Sequence, residues 1–177
     1  MAHNPARIST LISQDKVETR LKDLGEMISR DYEGKEINLV CVLKGGSYFM
    51  IELAKYITVP VKMDFMQVSS YGSATKSSGN IKIIKDVDEP MTGRDVLIVE
   101  DIIDSGRTLS CLEALFKDRK PATLKIATLL DKPERREVDV KVDYVGFTIP
   151  DAFVVGCGLD YAQNYRNLPY VGVVEFE

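Results

Sequence analysis

Three apolar runs of strand length, each followed by a polar turn, constrain the fold of this chain most strongly. The runs are Ile37–Leu43, residues 96–99 and residues 124–130. Apolar runs that alternate with helical segments are typical of a mostly parallel sheet whose two faces are both covered. A length of 177 residues fits one domain. We therefore predict a single α/β domain over residues 1–177, with a twisted, mostly parallel sheet and helices on both faces.

The remaining segments predict further helices and short strands around this sheet. Ser13 can cap a helix that should end near Gly34, with its apolar positions recurring every three or four residues at Val17, Leu21, Leu24 and Ile28. A second helix is predicted over residues 47–56, and a third from Thr108, with Leu109, Leu112 and Leu115 or Phe116 inward. Short strands are expected over residues 59–68 (Val61, Met63 and Phe65 on one face), 81–84, 144–147, 154–157 and 171–174.

The charge balance argues against a protein whose main role is to coat nucleic acid or an anionic membrane. The chain carries 23 Lys and Arg against 27 Asp and Glu, a net charge of −4, whereas coating nucleic acid or an anionic membrane needs a basic excess. It shows no leader and no apolar run near the ~18 residues of a membrane span. Cys41, Cys111 and Cys157 are interpreted as buried free thiols, which suit a reducing compartment. We expect a cytoplasmic protein without a nucleic-acid or membrane partner.

Histidine usage excludes several kinds of active site. His3 is the only histidine of the sequence. A Ser-His-Asp triad, a Cys-His dyad and a histidine-rich zinc site are therefore excluded from the body of the protein. Acid–base chemistry in this chain must use carboxylates, lysines or tyrosines.

The segment after the run at residues 96–99 predicts a phosphate site. Asp104-Ser105-Gly106-Arg107-Thr108 lies between a strand and a helix, where free backbone N–H groups and the positive end of the helix dipole point at one place. Gly106 allows close backbone approach, and Ser105 and Thr108 add hydroxyl donors. The segment is not a Walker A loop, because the first glycine and the Gly-Lys pair are missing.

Three carboxylates beside this phosphate site need a separate explanation. Glu100, Asp101 and Asp104 would repel an anion unless they face a divalent cation, sugar hydroxyls or a carbocation-like transition state. A phosphorylated ribose that carries a pyrophosphate held by Mg²⁺ combines all three. The alternative is an acidic turn without a ligand, which accounts poorly for the whole string.

Residues 96–108 closely resemble the phosphoribosyl-pyrophosphate signature of the type I phosphoribosyltransferases. The rest of the chain, from about Leu11 to Val174, is similar to the bacterial hypoxanthine-guanine branch of that family. The motifs occur in the family's order: Leu43-Lys44-Gly45-Gly46, Ser70-Tyr71, Asp131-Lys132-Pro133, and Phe153-Val154-Val155-Gly156 followed by Leu159-Asp160. The resemblance implies the type I fold, with a small hood built from the N- and C-terminal segments.

The resemblance also implies roles for the residues around the donor. Asp104 matches the general base that accepts the purine N7 proton, although a helix N-cap is its alternative role. The phosphoribosyl-binding set is Glu100, Asp101, Asp104, Ser105, Gly106, Arg107 and Thr108. The pyrophosphate-binding set is Lys44, Gly45, Gly46 and Arg166, with Arg136 more distant. Glu100, Asp101 and Asp160 would contact Mg²⁺.

The resemblance also implies which residues bind the purine and which form a lid. Lys132 would donate to the 6-oxo group, Phe153 would stack on the base, and Val154 would offer its backbone groups. Ser70 and Tyr71, in a loop over residues 69–80, would form a lid that excludes water. The resemblance further implies a cis peptide bond between Leu43 and Lys44. Cys157 departs from the family's pattern, in which an aromatic residue is expected, so the pocket wall there is expected to be slightly looser.

The predicted activity is transfer of 5-phosphoribose from 5-phosphoribosyl 1-pyrophosphate to hypoxanthine, guanine or xanthine, with release of pyrophosphate, in purine salvage. The sequence does not rank these bases. A relative that uses adenine or a pyrimidine, and a nucleic-acid-binding regulator of the same fold that senses the donor, are the alternatives. The resemblance favours a homodimer or a homotetramer.

Overall fold

The computed structural model describes residues 7–70 and 81–176. These residues form the following elements in chain order: β1 (Arg7–Ile12), α1 (Gln14–Asp31), β2 (Ile37–Leu43), α2 (Gly46–Ala54), β3 (Val61–Ser70), β4 (Ile81–Lys85), β5 (Asp95–Ile103), α3 (Arg107–Asp118), β6 (Thr123–Asp131), a 3₁₀ turn (Pro133–Arg135), β7 (Tyr144–Thr148), β8 (Val154–Val155) and β9 (Val171–Glu175).

The main sheet has six strands in the order β4-β3-β2-β5-β6-β7. Strand β2 pairs in parallel with both β3 and β5, and the parallel pairing continues through β6 to β7. Only the edge strand β4 is antiparallel, since it returns beside β3. The α/β class predicted from the three apolar runs is confirmed.

Alternate residues of the central strands explain why these runs are continuously apolar. In β2, Leu39 and Cys41 pack into one hydrophobic cluster with α1 and α2, whereas Val40 and Val42 pack into a second cluster. The second cluster contains Leu109, Leu112 and Phe116 of α3. Helices thus cover both faces, and both faces exclude water, which favours the fold through burial of apolar surface.

A second, three-stranded sheet has the order β1-β9-β8 and is antiparallel. The N-terminal strand β1 pairs with β9 near the C-terminus, in a register that places Arg7 opposite Glu175. The sequence analysis did not predict β1. Its hydrogen-bonding partner lies at the other end of the chain, so local sequence carries little information about the pairing.

Several predicted details differ from the structure. Ser13 occupies the N-cap of α1 but makes no side-chain cap hydrogen bond, and α1 ends at Asp31. Strand β3 extends through Ser70, so residues 69 and 70 are not part of a loop. Val61, Met63 and Phe65 lie on one face of β3 as predicted, opposite Ile37, Leu39 and Cys41 of β2, but Met63 is 43% exposed.

Three further details concern the burial of side chains and the end of a strand. Leu115 is only partly buried, whereas Leu109, Leu112 and Phe116 are the buried side chains of α3. Strand β8 stops at Val155, because the next residues turn with positive φ angles. Cys41 and Cys157 are buried free thiols, but Cys111 is only partly buried. Across the described segments we find no helix with both the length and the apolar character of a membrane span.

A charged cluster at the edge of the sheet away from the β2, β5 and β6 carboxyl ends makes stability depend on pH. The Tyr144 hydroxyl donates to Asp31 Oδ2 (2.5 Å) and Lys125 Nζ donates to the same atom (2.9 Å), and both bonds lower the pKa of Asp31. A carboxyl group whose pKa is lower in the folded than in the unfolded state stabilises the fold at pH values above its unfolded pKa of about 3.9. This stabilisation is lost as the pH falls through the pKa of the folded state.

We therefore expect Asp31→Asn to lower the free energy of unfolding at pH 7 by about 0.5–1 kcal/mol, a range discounted for the half-exposed carboxylate. In urea titrations the deficit should shrink as pH is lowered toward 3. Asp23→Asn, on the exposed side of the same helix, serves as the control and should show no such trend. A deficit that stays constant with pH would contradict the electrostatic explanation.

Candidate active site

The polar segments that follow β2, β5 and β6 meet at the carboxyl edge of the sheet. Gly45, after β2, lies so close to Asp101 that an added Cβ would be 1.5 Å from Asp101 Oδ2. Gly158 packs equally closely on Gly45, since its Cβ would be 2.1 Å from the Gly45 carbonyl oxygen. In an open parallel sheet, ligands bind outside this edge.

Gly106 shapes the predicted phosphate loop. It has a φ of +81° and occupies the N-cap of α3, and an added Cβ would lie 2.4 Å from the Val138 carbonyl oxygen. A cavity of about 120 Å³ lies here, lined by Glu100, Ile102, Ile103, Asp104, Ser105, Gly106, Thr108 and Leu109. The loop therefore places the start of a helix, where backbone N–H groups have no partner within the helix, beside a small cavity with polar and apolar lining.

Asp104 is not the N-cap of α3, because Gly106 holds that position, so the alternative role considered for Asp104 is wrong. Its Oδ1 atom is buried and accepts no hydrogen bond within the described structure. The nearest cation is Arg135, whose Nε lies 3.4 Å from this oxygen. Asp104 thus has a carboxylate oxygen available for a ligand.

Arg107, also predicted at the phosphoribosyl site, points toward Glu137. Its Nε donates to Glu137 Oε2 at 2.7 Å, and the Arg107 N–H lies 3.4 Å from Ser105 Oγ. Ser105 also fixes the following segment, since its carbonyl accepts hydrogen bonds from the N–H groups of Glu137 and Val138. The Arg107 guanidinium therefore ties the start of α3 to the segment around Glu137.

Strand β5 extends to Ile103, so Glu100 and Asp101 lie on the strand itself, whereas the predicted strand ended at residue 99. Glu100 Oε2 is buried and accepts no hydrogen bond from the described residues. Burial and then the nearby Asp101 raise the pKa of Glu100 well above its usual range. Burial also raises the pKa of Asp101 to about 6, against the opposing effect of the Ile102 N–H that it accepts at 2.8 Å.

Asp160, the third predicted metal contact, is engaged elsewhere. Its Oδ1 pairs with Arg166 Nη2 at 2.7 Å, and its Oδ2 accepts the Gln163 N–H at 2.7 Å. In residues 7–70 and 81–176, no three His, Cys, Asp or Glu side chains are grouped closely enough to hold a metal ion. The structure therefore brings Glu100 and Asp101 together but not the complete predicted set.

The predicted pyrophosphate residues form one cluster with Gln163. The Leu43–Lys44 peptide bond is cis, which confirms that prediction. Lys44 Nζ donates to Gln163 Oε1 at 3.1 Å, and Arg166 Nη1 donates to the Gly158 carbonyl at 2.7 Å. Two cationic side chains are thereby held beside the Gly45-Gly46 turn, the arrangement that a diphosphate would require.

The predicted purine residues lie on β8 and after β6. Lys132 is buried, with 7% of its surface exposed, and its Nζ lies 3.9 Å from Asp151 Oδ1. Val154 is buried in β8, whereas Phe153 directly before it is 48% exposed. A buried lysine offers hydrogen-bond donors to an oxygen-bearing ring, and an exposed aromatic side chain offers a face for stacking.

Some residues around the site were missed by the sequence analysis. Arg135 contacts both Asp104 and Asp151, and Arg136 Nε donates to the Asp104 carbonyl at 3.1 Å. Arg136 had been assigned only a distant role. Isolated arginines and glutamines in polar loops carry no local signal, so only the tertiary contacts reveal them. Tyr71 lies outside the described residues, and of Ser70 only the backbone, at the end of β3, is described.

This strand-end geometry combines a glycine loop at the start of a helix, two neighbouring carboxylates and two cationic side chains, which is compatible with a phosphorylated sugar that carries a diphosphate. Residues 9–162 match the phosphoribosyl transferase domain, and the chain belongs to that family.

Its relatives within the family include hypoxanthine-guanine enzymes. The chain is 56% identical to the hypoxanthine-guanine phosphoribosyltransferase of Streptococcus thermophilus, over 94% of this chain and 93% of that one. It is 53% identical to the Bacillus subtilis enzyme of the same name, over 99% and 96%. The crystal structure of a Bacillus anthracis hypoxanthine-guanine phosphoribosyltransferase superimposes with a TM-score of 0.91 at 49% identity, covering 95% of this chain and 99% of that one. The resemblance stated from the motifs is confirmed.

Proposed function

We propose that this chain is a hypoxanthine-guanine phosphoribosyltransferase. It transfers 5-phosphoribose from 5-phosphoribosyl 1-pyrophosphate to hypoxanthine or guanine, and releases IMP or GMP and pyrophosphate. The observation that carries the proposal is the meeting of the Gly45 turn, the β5 carboxylates and the Gly106 loop at one sheet edge, in a chain of this family. Purine salvage is the corresponding process.

The loop from Asp104 to Thr108 would bind the 5′-phosphate. Backbone N–H groups at the start of α3 donate toward the cavity, and the helix dipole favours an anion there. Glu100 and Asp101 would accept hydrogen bonds from the ribose hydroxyls. Glu100 Oε2 could accept such a bond, because it accepts no other hydrogen bond in the described structure.

Asp104 would act as the proton acceptor. A 6-oxopurine must lose a proton from its imidazole edge as N9 bonds to C1′, and a carboxylate near N7 can accept it. Asp104 Oδ1 is buried, accepts no hydrogen bond in the described structure, and lies beside the phosphate loop. The Arg135 guanidinium lies next to the same oxygen, with its Nε 3.4 Å from Oδ1.

The acidic groups fit a divalent cation. Two neighbouring, partly buried carboxylates with raised pKa values, one with a buried oxygen that accepts no hydrogen bond in the described structure, match the oxygen ligands that Mg²⁺ prefers. Glu100 and Asp101 would hold Mg²⁺, and Asp160 would join them once its pair with Arg166 opens. When bound, Mg²⁺ neutralises negative charge on the pyrophosphate. Lys44 and Arg166 would bind the same leaving group from the protein side.

The purine would lie between Phe153 and Lys132. Lys132 carries only donors, so it suits the 6-oxo group of hypoxanthine or guanine and leaves an adenine amino group unpaired. The backbone of Val154 would contact the pyrimidine edge. We further propose that the protein is a cytoplasmic homodimer or homotetramer, and that Ser70 and Tyr71 close over the reacting atoms.

The test is an assay of the purified chain with 5-phosphoribosyl 1-pyrophosphate, Mg²⁺ and one base at a time. Hypoxanthine and guanine should yield IMP and GMP, whereas adenine and uracil should yield no nucleotide above background. Xanthine in the same panel shows how far the 6-oxopurine range extends. Salt-dependent RNA binding without synthesis of any nucleotide would overturn the proposal in favour of a regulator.

A further inference from the structure

Three aromatic rings meet at the rim of the proposed purine site, and we call them the aromatic triangle. The ring centroids of Phe153 and Tyr161 are 5.7 Å apart, those of Phe153 and Phe176 are 5.8 Å apart, and those of Tyr161 and Phe176 are 5.5 Å apart. The angles between the ring planes are 89°, 70° and 64° in the same order, so every pair is edge-to-face. This is a favourable geometry for aromatic pairs.

The triangle is built from distant parts of the chain. Phe176 directly follows β9, and Tyr161 directly follows Asp160 of the pyrophosphate side. The backbone of Phe153 is fixed as well, because its carbonyl accepts the Val174 N–H of β9 at 2.9 Å. Strand β9 thus holds the Phe153 backbone and also places the Phe176 ring against the Phe153 ring.

Apart from the rings of Tyr161 and Phe176, few neighbouring groups would restrict the rotamer of Phe153. Its side chain is 48% exposed and that of Phe176 is 53% exposed, so neither ring is held by a surrounding core. An isolated exposed ring samples several rotamers, and fixing one of them when a ligand arrives costs binding free energy. Both neighbours stand steeply inclined to the Phe153 ring, so neither takes the parallel stacking geometry that a flat base would adopt.

We infer that Tyr161 and Phe176 are positioning residues that hold the Phe153 ring ready to stack on the purine. The inference rests on the proposed function, since it requires a base to bind at Phe153. It assigns a role in base binding to the C-terminal end of the chain, which carries no motif of the family.

The test measures binding of IMP and, separately, of 5-phosphoribosyl 1-pyrophosphate with Mg²⁺ by titration calorimetry. Phe176→Leu keeps an apolar side chain but removes the ring. It should raise the Kd of IMP about two- to tenfold, which corresponds to the loss of edge-to-face contacts, and leave the Kd of the donor unchanged. Phe176→Tyr keeps the ring and should bind IMP like the wild type.

A double-mutant cycle separates positioning from a direct contact. Phe153→Leu should weaken IMP binding, and adding Phe176→Leu should weaken it little further, because the ring to be positioned is already gone. Met27→Ala, an apolar truncation on the outer side of α1, is the control and should leave both Kd values unchanged. Thermal unfolding of each variant verifies that the fold is retained.

Three results would overturn the inference. Unchanged or tighter IMP binding by Phe176→Leu would do so, and tighter binding would mean that Phe176 competes with the base. Equal weakening of IMP and donor would indicate a general loosening of the site. Unchanged IMP binding by Phe153→Leu would remove the stacking role itself. The base-panel assay of the unaltered chain tests the proposed function separately, so failure of the inference leaves that result standing.

Discussion

Replacing Asp104 with Asn should lower kcat about 10²–10⁴-fold, the usual contribution of a positioned general acid or base. Asn has nearly the same shape and still offers an oxygen to its neighbours, but it cannot accept the purine proton. Binding of 5-phosphoribosyl 1-pyrophosphate should be largely intact, because the phosphate loop donates through backbone N–H groups. The measurement is steady-state turnover with hypoxanthine, together with calorimetric binding of the donor.

Asp139→Asn is the matched control for this substitution. Asp139 is an exposed carboxylate beyond the 3₁₀ turn, so the same chemical change there should leave turnover and donor binding unchanged. Turnover of Asp104→Asn within a few-fold of the wild type would exclude Asp104 as the proton acceptor. A large loss of donor binding with little change in kcat would assign Asp104 to ribose binding instead.

The architecture was predictable because its strongest signals are local. Ile37–Leu43 is apolar at every position except Asn38, since alternate residues enter different hydrophobic clusters on the two faces of the sheet. The phosphate loop was predictable for a related reason. Gly106 has a positive φ and lies close to the Val138 carbonyl oxygen, so a side chain there would be strained and would clash. This local requirement for glycine is visible in the sequence.

What could not be predicted depends on contacts between distant residues. Strand β1 exists because β9 pairs with it from the other end of the chain. Arg135 reaches Asp104 across 31 positions of sequence, and Phe176 reaches Phe153 across 23. The strand before the β5 carboxylates was predicted only over the apolar residues 96–99, but parallel pairing with β6 extends β5 through Ile103. Tertiary pairing outweighed local propensity there.

Replacing Lys132 with Ala should weaken hypoxanthine and guanine use and relax discrimination against adenine. Lys132 is 7% exposed, so its ammonium group would meet the base with little competition from water. A buried acceptor left unpaired costs about 1–3 kcal/mol, which corresponds to a loss of kcat/KM for hypoxanthine of roughly 5- to 150-fold. The kcat/KM for adenine should not fall, because the adenine 6-amino group is itself a donor and cannot accept a hydrogen bond from Lys132.

Discrimination is therefore the quantity to measure, in a competition assay that supplies hypoxanthine and adenine together. The ratio of the two kcat/KM values should fall by the same factor as hypoxanthine use. Asp151, the nearest carboxylate to Lys132 Nζ, has a side chain that is 44% exposed, so losing its partner should cost little stability. Lys141→Ala, a lysine whose side chain is 86% exposed, is the control. An unchanged ratio in Lys132→Ala would mean that another group contacts the 6-position, whereas an equal loss for both bases would mean that Lys132 only shapes the pocket.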